Sequence, residues 1–217
     1  MQCHICRAQV QDGVTECPEC GASLTINRTS TVNQPTDEFG KMFMDATNIW
    51  KANLGDLVIL SLVLMLVVWI PFANAGFITG YYRSVLRVFR GQGKAQAGDL
   101  FNAWDCFAQM LILLVVSFIA MILLSLIPLI GTLAGMALGV LMAPALFAVA
   151  DRGMNAVDSV KWGIETIKKD PINWLLAGLV GSIITSVGAI ALLIGVIVTM
   201  PWGTLITAAQ YERRKND

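Results

Sequence analysis

Four of the five cysteines stand within the first twenty residues, as Cys3-His4-Ile5-Cys6 and Cys17-Pro18-Glu19-Cys20. Two C-x-x-C pairs separated by ten residues have the spacing of a four-thiolate zinc site. Each pair forms a tight knuckle that aims both sulfurs at one point. Pro18 stiffens the second knuckle, and Gly21 follows it where a left-handed turn favours glycine. Four thiolates suit tetrahedral zinc, and so short a segment is expected to fold only with its metal. Two disulfides are the alternative pairing. His4, beside Cys3, is a weaker ligand candidate, and Cys106 stands alone as a buried or interfacial thiol.

The segment from Cys3 to Leu24 resembles the short zinc ribbons found at the N-termini of many bacterial proteins. Their pattern is C-x-x-C-G, a short polar hairpin, then C-P-x-C-G; here Arg7 replaces the first glycine. The resemblance implies a metal site at Cys3, Cys6, Cys17 and Cys20 and says nothing of function. We therefore assign residues 1–24 to a zinc ribbon, 25–40 to a polar flexible linker and 41–217 to a helical membrane domain. Residues 1–40 carry five acids and two arginines, a balance of −3. An acidic tethered head is not drawn to anionic lipid, so its target would be a protein or nothing.

The rest of the chain must hold this head at a membrane. Of 217 residues, 56% are hydrophobic and only 14% charged, against about 25% charged in an average globular chain. Asp, Glu, Lys and Arg are absent from Leu57–Tyr82, Cys106–Ala150 and Pro171–Tyr211, stretches of 26, 45 and 41 residues. Runs of about 18 or more apolar residues read as membrane-spanning. Fifteen basic residues balance fifteen acidic ones, which removes a global basic field for nucleic acid. No apolar run of signal-peptide length occupies residues 1–40.

The basic residues fall before, between and after the three blocks, in groups of four, four, four and three. The positive-inside rule then puts every interblock segment and both termini in the cytoplasm, at the inner membrane. Each block must therefore enter and leave on one side, as a hairpin. Block two breaks at Pro128 to Gly131, giving spans near 107–127 and 132–150; block three breaks near Gly188, giving 173–187 and 190–209. Block one is short enough for a single tilted span. We read it instead as a shallow hairpin turning at Pro71 to Gly76 and returning through Tyr81-Tyr82-Arg83. The expected architecture is all-α and polytopic: three helical hairpins, about six spans, each hairpin preceded by an interfacial amphipathic helix.

Those amphipathic helices are read from three stretches. Met42, Phe43, Ala46, Ile49 and Trp50 share one helical face, as do Leu100, Phe101, Trp104 and Phe107. Val157, Val160, Ile164 and Ile167 do the same beside Trp162. Prolines late in each block, Pro71, Pro144 and Pro201, add to the repeat. The membrane part resembles uncharacterised bacterial and archaeal families related to the membrane domain fused to glycerophosphodiester phosphodiesterases. The resemblance rests on Gly80-Tyr81-Tyr82-Arg83, Arg90-Gly91, the Phe101 to Phe107 stretch, and Gly195 to Pro201 leading to Tyr211. It implies a six-helix membrane domain and carries over no catalytic residue.

The blocks hold hydroxyls (Ser117, Ser125, Thr132, Ser182, Thr185, Ser186, Thr199, Thr204) and Asn74, but no acid, base or histidine. Hydroxyls in such helices usually bond the preceding turn. Gly131, Gly135, Gly139 and Ala143 form a small-residue ridge, and Gly181, Gly188 and Gly195 recur every seven residues. Such ridges serve close packing within the chain or between subunits. Asp99, Asp105, Asp151, Asp158, Glu165 and Asp170 are expected to pair with nearby Arg and Lys. Arg83, Arg87 and Arg90 share a helical face that would meet lipid phosphates or simply set topology. No nucleophile–base pair or phosphate loop is present, so no enzyme is expected. The expected function is an integral membrane scaffold or complex subunit, interacting with lipids and forming homo-oligomers or joining a membrane complex. A small-solute channel or transporter, or a lipid-organising protein, is the alternative.

Overall fold

The computed structural model describes residues 35–126, 130–190 and 192–216. The ribbon, its four cysteines and residues 25–34 of the expected linker lie outside the described residues. The helical unit, Pro35–Asp217, contains eight α-helices and no strand among the described residues.

Helix α1 (Pro35–Ala52) starts six residues earlier than the expected domain boundary, so residues 35–40 are helical rather than linker. Proline suits the first helical position because its missing N–H has no partner there anyway. The expected face is the one that packs: Met42 and Ala46 are buried, and Phe43, Ile49 and Trp50 lie against the core. Two crossed tryptophans fix it to α8 (Leu192–Arg214). The Trp50 indole N–H donates to the Val198 carbonyl at 3.1 Å, and the Trp202 indole N–H donates to the Thr47 hydroxyl at 3.0 Å. Their rings stack with centroids 5.0 Å apart. From α1 the chain bends by 85° into α2 (Leu54–Val67). A near right angle is the geometry of a helix that lies across the bundle rather than along it.

Helix α2 stops at Val67 and α3 (Asn74–Phe89) begins seven residues later, so block one breaks around Pro71, with Asn74 to Gly76 of the expected turn already helical. Phe72 takes φ +64° in that turn, a left-handed conformation costly for an aromatic residue. At about 1.5 Å per residue these arms, 14 and 16 residues long, fall short of the roughly 30 Å hydrocarbon core. Helices α4 (Phe107–Ser125) and α5 (Ile130–Arg152) form the second pair, α7 (Pro171–Ile190) and α8 the third. Among the described residues, three helical stretches are long and apolar enough to cross a membrane: Phe107–Ser125, Ala134–Arg152 and Pro171–Gly188. The bent α1–α2 pair would make a fourth. Helix α4 is the most outward of these, with Val116, Phe118, Ile119 and Leu123 exposed as befits a face turned to lipid.

The amphipathic repeat is only partly present. Before block two the chain forms one 3₁₀ turn, Ala97–Phe101, instead of an α-helix. A capping box between Gln96 and Asp99 closes this turn, and Asn102 ends it. Before block three α6 (Ala156–Lys169) does form, capped by Asn155, whose side chain accepts the Asp158 N–H at 2.8 Å. Its inward face is not the expected one. Ala156, Ser159, Gly163 and Thr166 are buried, whereas Val157 is 63% exposed. Gly163 explains the choice, since a Cβ there would sit 3.1 Å from the Pro144 ring. The small face lets α6 approach α5, and the apolar side chains point outward or edge the core.

The return helices of the three pairs meet at the centre. Tyr82 of α3 packs edge-on to Phe147 of α5 at 4.7 Å, and Phe147 stacks on Tyr211 of α8 at 5.3 Å. Glycine allows α7 and α8 to touch backbone to backbone: a Cβ on Gly203 would fall 2.7 Å from the Gly181 carbonyl oxygen. The seven-residue glycine ridge thus packs internally.

Candidate functional site

Two polar regions stand out, one at the end of the bundle and one within it. At the end, Arg83, Arg87 and Arg90 follow one another along α3 and just past it, as their spacing requires. Each is matched by a carboxylate. Arg83 grips Asp105 through two bonds of 2.6 Å and donates from Nε to the Ala150 carbonyl, also at 2.6 Å. Arg87 pairs with Asp99, which also accepts the Ser84 hydroxyl at 2.6 Å. Arg90 donates to Asp151 at 2.7 Å and to Glu212 at 2.6 Å, and the Tyr211 hydroxyl donates to Asp151 at 2.9 Å.

One guanidinium therefore joins the ends of α3, α5 and α8. A recess of about 340 Å³ opens among Arg83, Arg87 and Arg90. Yet these three cations meet four carboxylates, Asp99, Asp105, Asp151 and Glu212. The spacing pointed to arginines that either meet lipid phosphate or set topology; in the structure they also tie α3 to neighbouring segments through these carboxylates.

The surroundings hold these groups in their charged forms. The Arg83 hydrogen bonds keep the Asp105 carboxyl below the ordinary carboxylate range. For Asp99, burial pushes upward, but bonds from Arg87, Ser84 and the Gln96 N–H outweigh it and leave the carboxyl lowered. Asp170 behaves likewise: burial is opposed by Gln210 at 2.9 Å, Asn173 at 3.0 Å and Arg214 at 3.0 Å, and the lowering prevails. Asp158 serves the α6 cap instead. Cys106 is free and buried, with Sγ 3.2 Å from both Arg83 Nη2 and Asp105 Oδ2. Burial raises its pKa, which makes it a packed thiol rather than a reactive one.

The second region is a cleft between α5, α7 and α8, closed on one side by α3. A recess of about 350 Å³ is lined by Tyr82, Ser182, Thr185, Ser186, Thr204 and Thr207, with glycines between them. Beside it an apolar groove of about 690 Å³ follows Gly135, Gly139 and Val140 of α5 and Leu175 and Leu179 of α7. Ala143, Gly178, Ser182 and Thr207 line both, so the two are continuous. Among the described residues that line them there is no Asp, Glu, Lys, Arg or His.

The hydroxyls do bond the preceding turn, as their helical setting predicts. Ser182 donates to the Leu179 carbonyl at 2.8 Å, Thr185 to Gly181 at 2.9 Å and Thr204 to Met200 at 2.9 Å. Tyr82 and Ser186 have no hydrogen-bond partner among the described residues. Next to the cleft, Tyr81 is fully buried; its hydroxyl faces those of Ser61 and Thr204 but meets hydrogen-bond geometry with neither.

The Gly131–Ala143 ridge divides between two tasks. Gly131 and Gly135 lie against Leu124 and Met121 of α4, whereas a Cβ on Gly139 would meet nothing within 4 Å. Its far half is thus a wall of the groove. Sequence reasoning found the hydroxyls and the ridge but not the cleft, which depends on how α5 and α7 diverge. No group of three or more His, Cys, Asp or Glu that could hold a metal occurs among the described residues. Searched against protein-family models, curated proteins and solved structures, the chain matches none.

Proposed function

We propose that the chain is a non-enzymatic integral membrane scaffold or complex subunit, carrying a zinc-binding head for protein interaction on the cytoplasmic face of the inner membrane. The observation that carries this reading is where the charge goes. Arginines and carboxylates at the bundle end join helices α3, α5 and α8, and among the described residues the lining of the membrane-embedded cleft has no acid or base to run chemistry or move protons. The ion pairs also support the hairpin topology. Lys94 lies 3.9 Å from Asp56, Arg83 pairs with Asp105, and Arg214 pairs with Asp170. Lys94–Asp56 and Arg214–Asp170 each join the entry of a block to its exit, and Arg83 meets both ends of block two through Asp105 and the Ala150 carbonyl.

On this reading about six segments enter the membrane, with α2 and α3 as a shallow hairpin, and both termini are cytoplasmic. Cys3, Cys6, Cys17 and Cys20 would hold one zinc in a closed structural site that folds the head.

The test is affinity purification of the full chain from membranes beside a version lacking residues 1–30. Partners retained by the full chain and lost on truncation, with the membrane part still inserted, are the expected result. A monomer without partners in both forms would contradict it, and solute flux through proteoliposomes would establish a channel instead.

A further inference from the structure

The cleft between α5, α7 and α8 has a chemical polarity that points to one kind of occupant. In Ser182, Thr185, Thr204 and Thr207 the hydroxyl protons are already committed to carbonyls of the preceding turn, at 2.8 to 3.2 Å. Their oxygens therefore present lone pairs, and the recess is rich in acceptors. The Tyr82 and Ser186 hydroxyls, with no partner of their own, supply the free donors.

A group that both donates and accepts matches this lining, and an alcohol does so. A carboxylate, phosphate or ammonium would be stripped of water with no counter-ion lining the cleft, a cost of several kcal/mol. A bare hydrocarbon would leave the Tyr82 hydroxyl unpaired in a low-dielectric setting.

The size and continuity of the cleft argue the rest. A transmembrane helix is about 10 Å across with its side chains and does not enter a recess of about 350 Å³. A flexible chain does, and the adjoining groove of about 690 Å³ offers it an apolar track beside Gly139 and Val140. These volumes lie within the roughly 300–1,000 Å³ range of ligand sites. Gly139 is what leaves the track open, since nothing stands within 4 Å of where its Cβ would be.

We propose that this cleft binds an uncharged long-chain alcohol. The polar end rests against Tyr82, Thr185 and Ser186, and the tail follows the groove past Gly139. Nothing in this proposal depends on the metal-binding head.

The test uses the full chain in phosphatidylcholine nanodiscs and a photoreactive hexadecanol analogue with a diazirine in its chain. Label should enter α5 and α7, and hexadecanol should compete about fivefold better than palmitate or hexadecane, the worth of one hydrogen bond. The double variant Thr185→Val with Ser186→Ala should lose labelling by about the same factor, because it removes polar atoms with little change in shape. Gly139→Leu should abolish labelling by filling the track, with helical content and monodispersity unchanged. Equal competition by hexadecane, or label spread over the exposed face of α4 without competition, overturns the proposal. So does a crosslink joining two copies of the chain at cleft residues.

Discussion

At the end of the bundle Arg90 spends its guanidinium on Asp151 and Glu212, and Arg83 and Arg87 are likewise committed. Within the bundle, Tyr82 and Ser186 face a cleft with no partner, while Tyr81 and Ser61 are buried without one. In the first region each arginine is paired with at least one carboxylate. The second holds weak, neutral groups with capacity to spare. Charge marks where this protein is held together; uncharged hydroxyls mark where it is open.

The comparison breaks most readily at Arg90. Arg90→Ala leaves Asp151 and Glu212 facing each other, both largely buried, and should cost about 3 kcal/mol. Lys94→Ala removes an exposed contact of 3.9 Å and should cost less than about 0.5 kcal/mol. Thermal unfolding in mild detergent measures both, and equal losses would show that the triad is not a clasp.

Glycine provides the next contrast. Gly203→Leu drives a side chain into the Gly181 backbone and should destabilise by about 2 kcal/mol through overpacking. Gly139→Leu enters open space and should leave stability within about 0.5 kcal/mol. Loss of folded protein from both would place Gly139 in a tight contact and close the groove.

Much of this organisation was legible in the sequence, and the failures have physical causes. Charge-free blocks located the apolar helices and Pro71 the break in block one, because backbone and solvation rules act locally; α7 instead runs through Gly188 to Ile190, and Pro128 lies outside the described residues. The faces of α1 also followed from periodicity. For α6 periodicity misled, since Gly163 and its small neighbours pack closely on Pro144 while Val157 turns outward. In a membrane the apolar face need not be the buried face. The 100–107 stretch has helical spacing, but Gly98 and the Gln96–Asp99 capping box just before it favour one short turn over Ala97–Phe101. The cleft needs the angles between helices, which no spacing records.

Smaller effects sharpen the account. Trp50→Phe removes the bond to the Val198 carbonyl and should cost about 1 kcal/mol, with Trp202→Phe similar. The double variant tests whether the two indoles act together, since contacting residues are not additive.

Acid should act through Asp99, Asp105 and Asp170, whose folded pKa values are lowered. A lowered folded value contributes stability above the unfolded pKa, near about 3.9, that disappears as pH falls through the folded value. Stability should therefore hold from neutral pH to about pH 4.5 and decline below about pH 4. A decline already complete near pH 6 would contradict this assignment.

The most direct measurement is sidedness, because every charged contact between helix ends assumes one common face. In a background with the five native cysteines replaced by serine, single cysteines at Ser30, Gln92, Lys161 and Asn216 sample both termini and both interblock segments. The account predicts that an impermeant maleimide labels all four from the cytoplasmic side and none from the other. Labelling of Ser30→Cys and Gln92→Cys from opposite sides would make block one a crossing span and contradict the three-hairpin account.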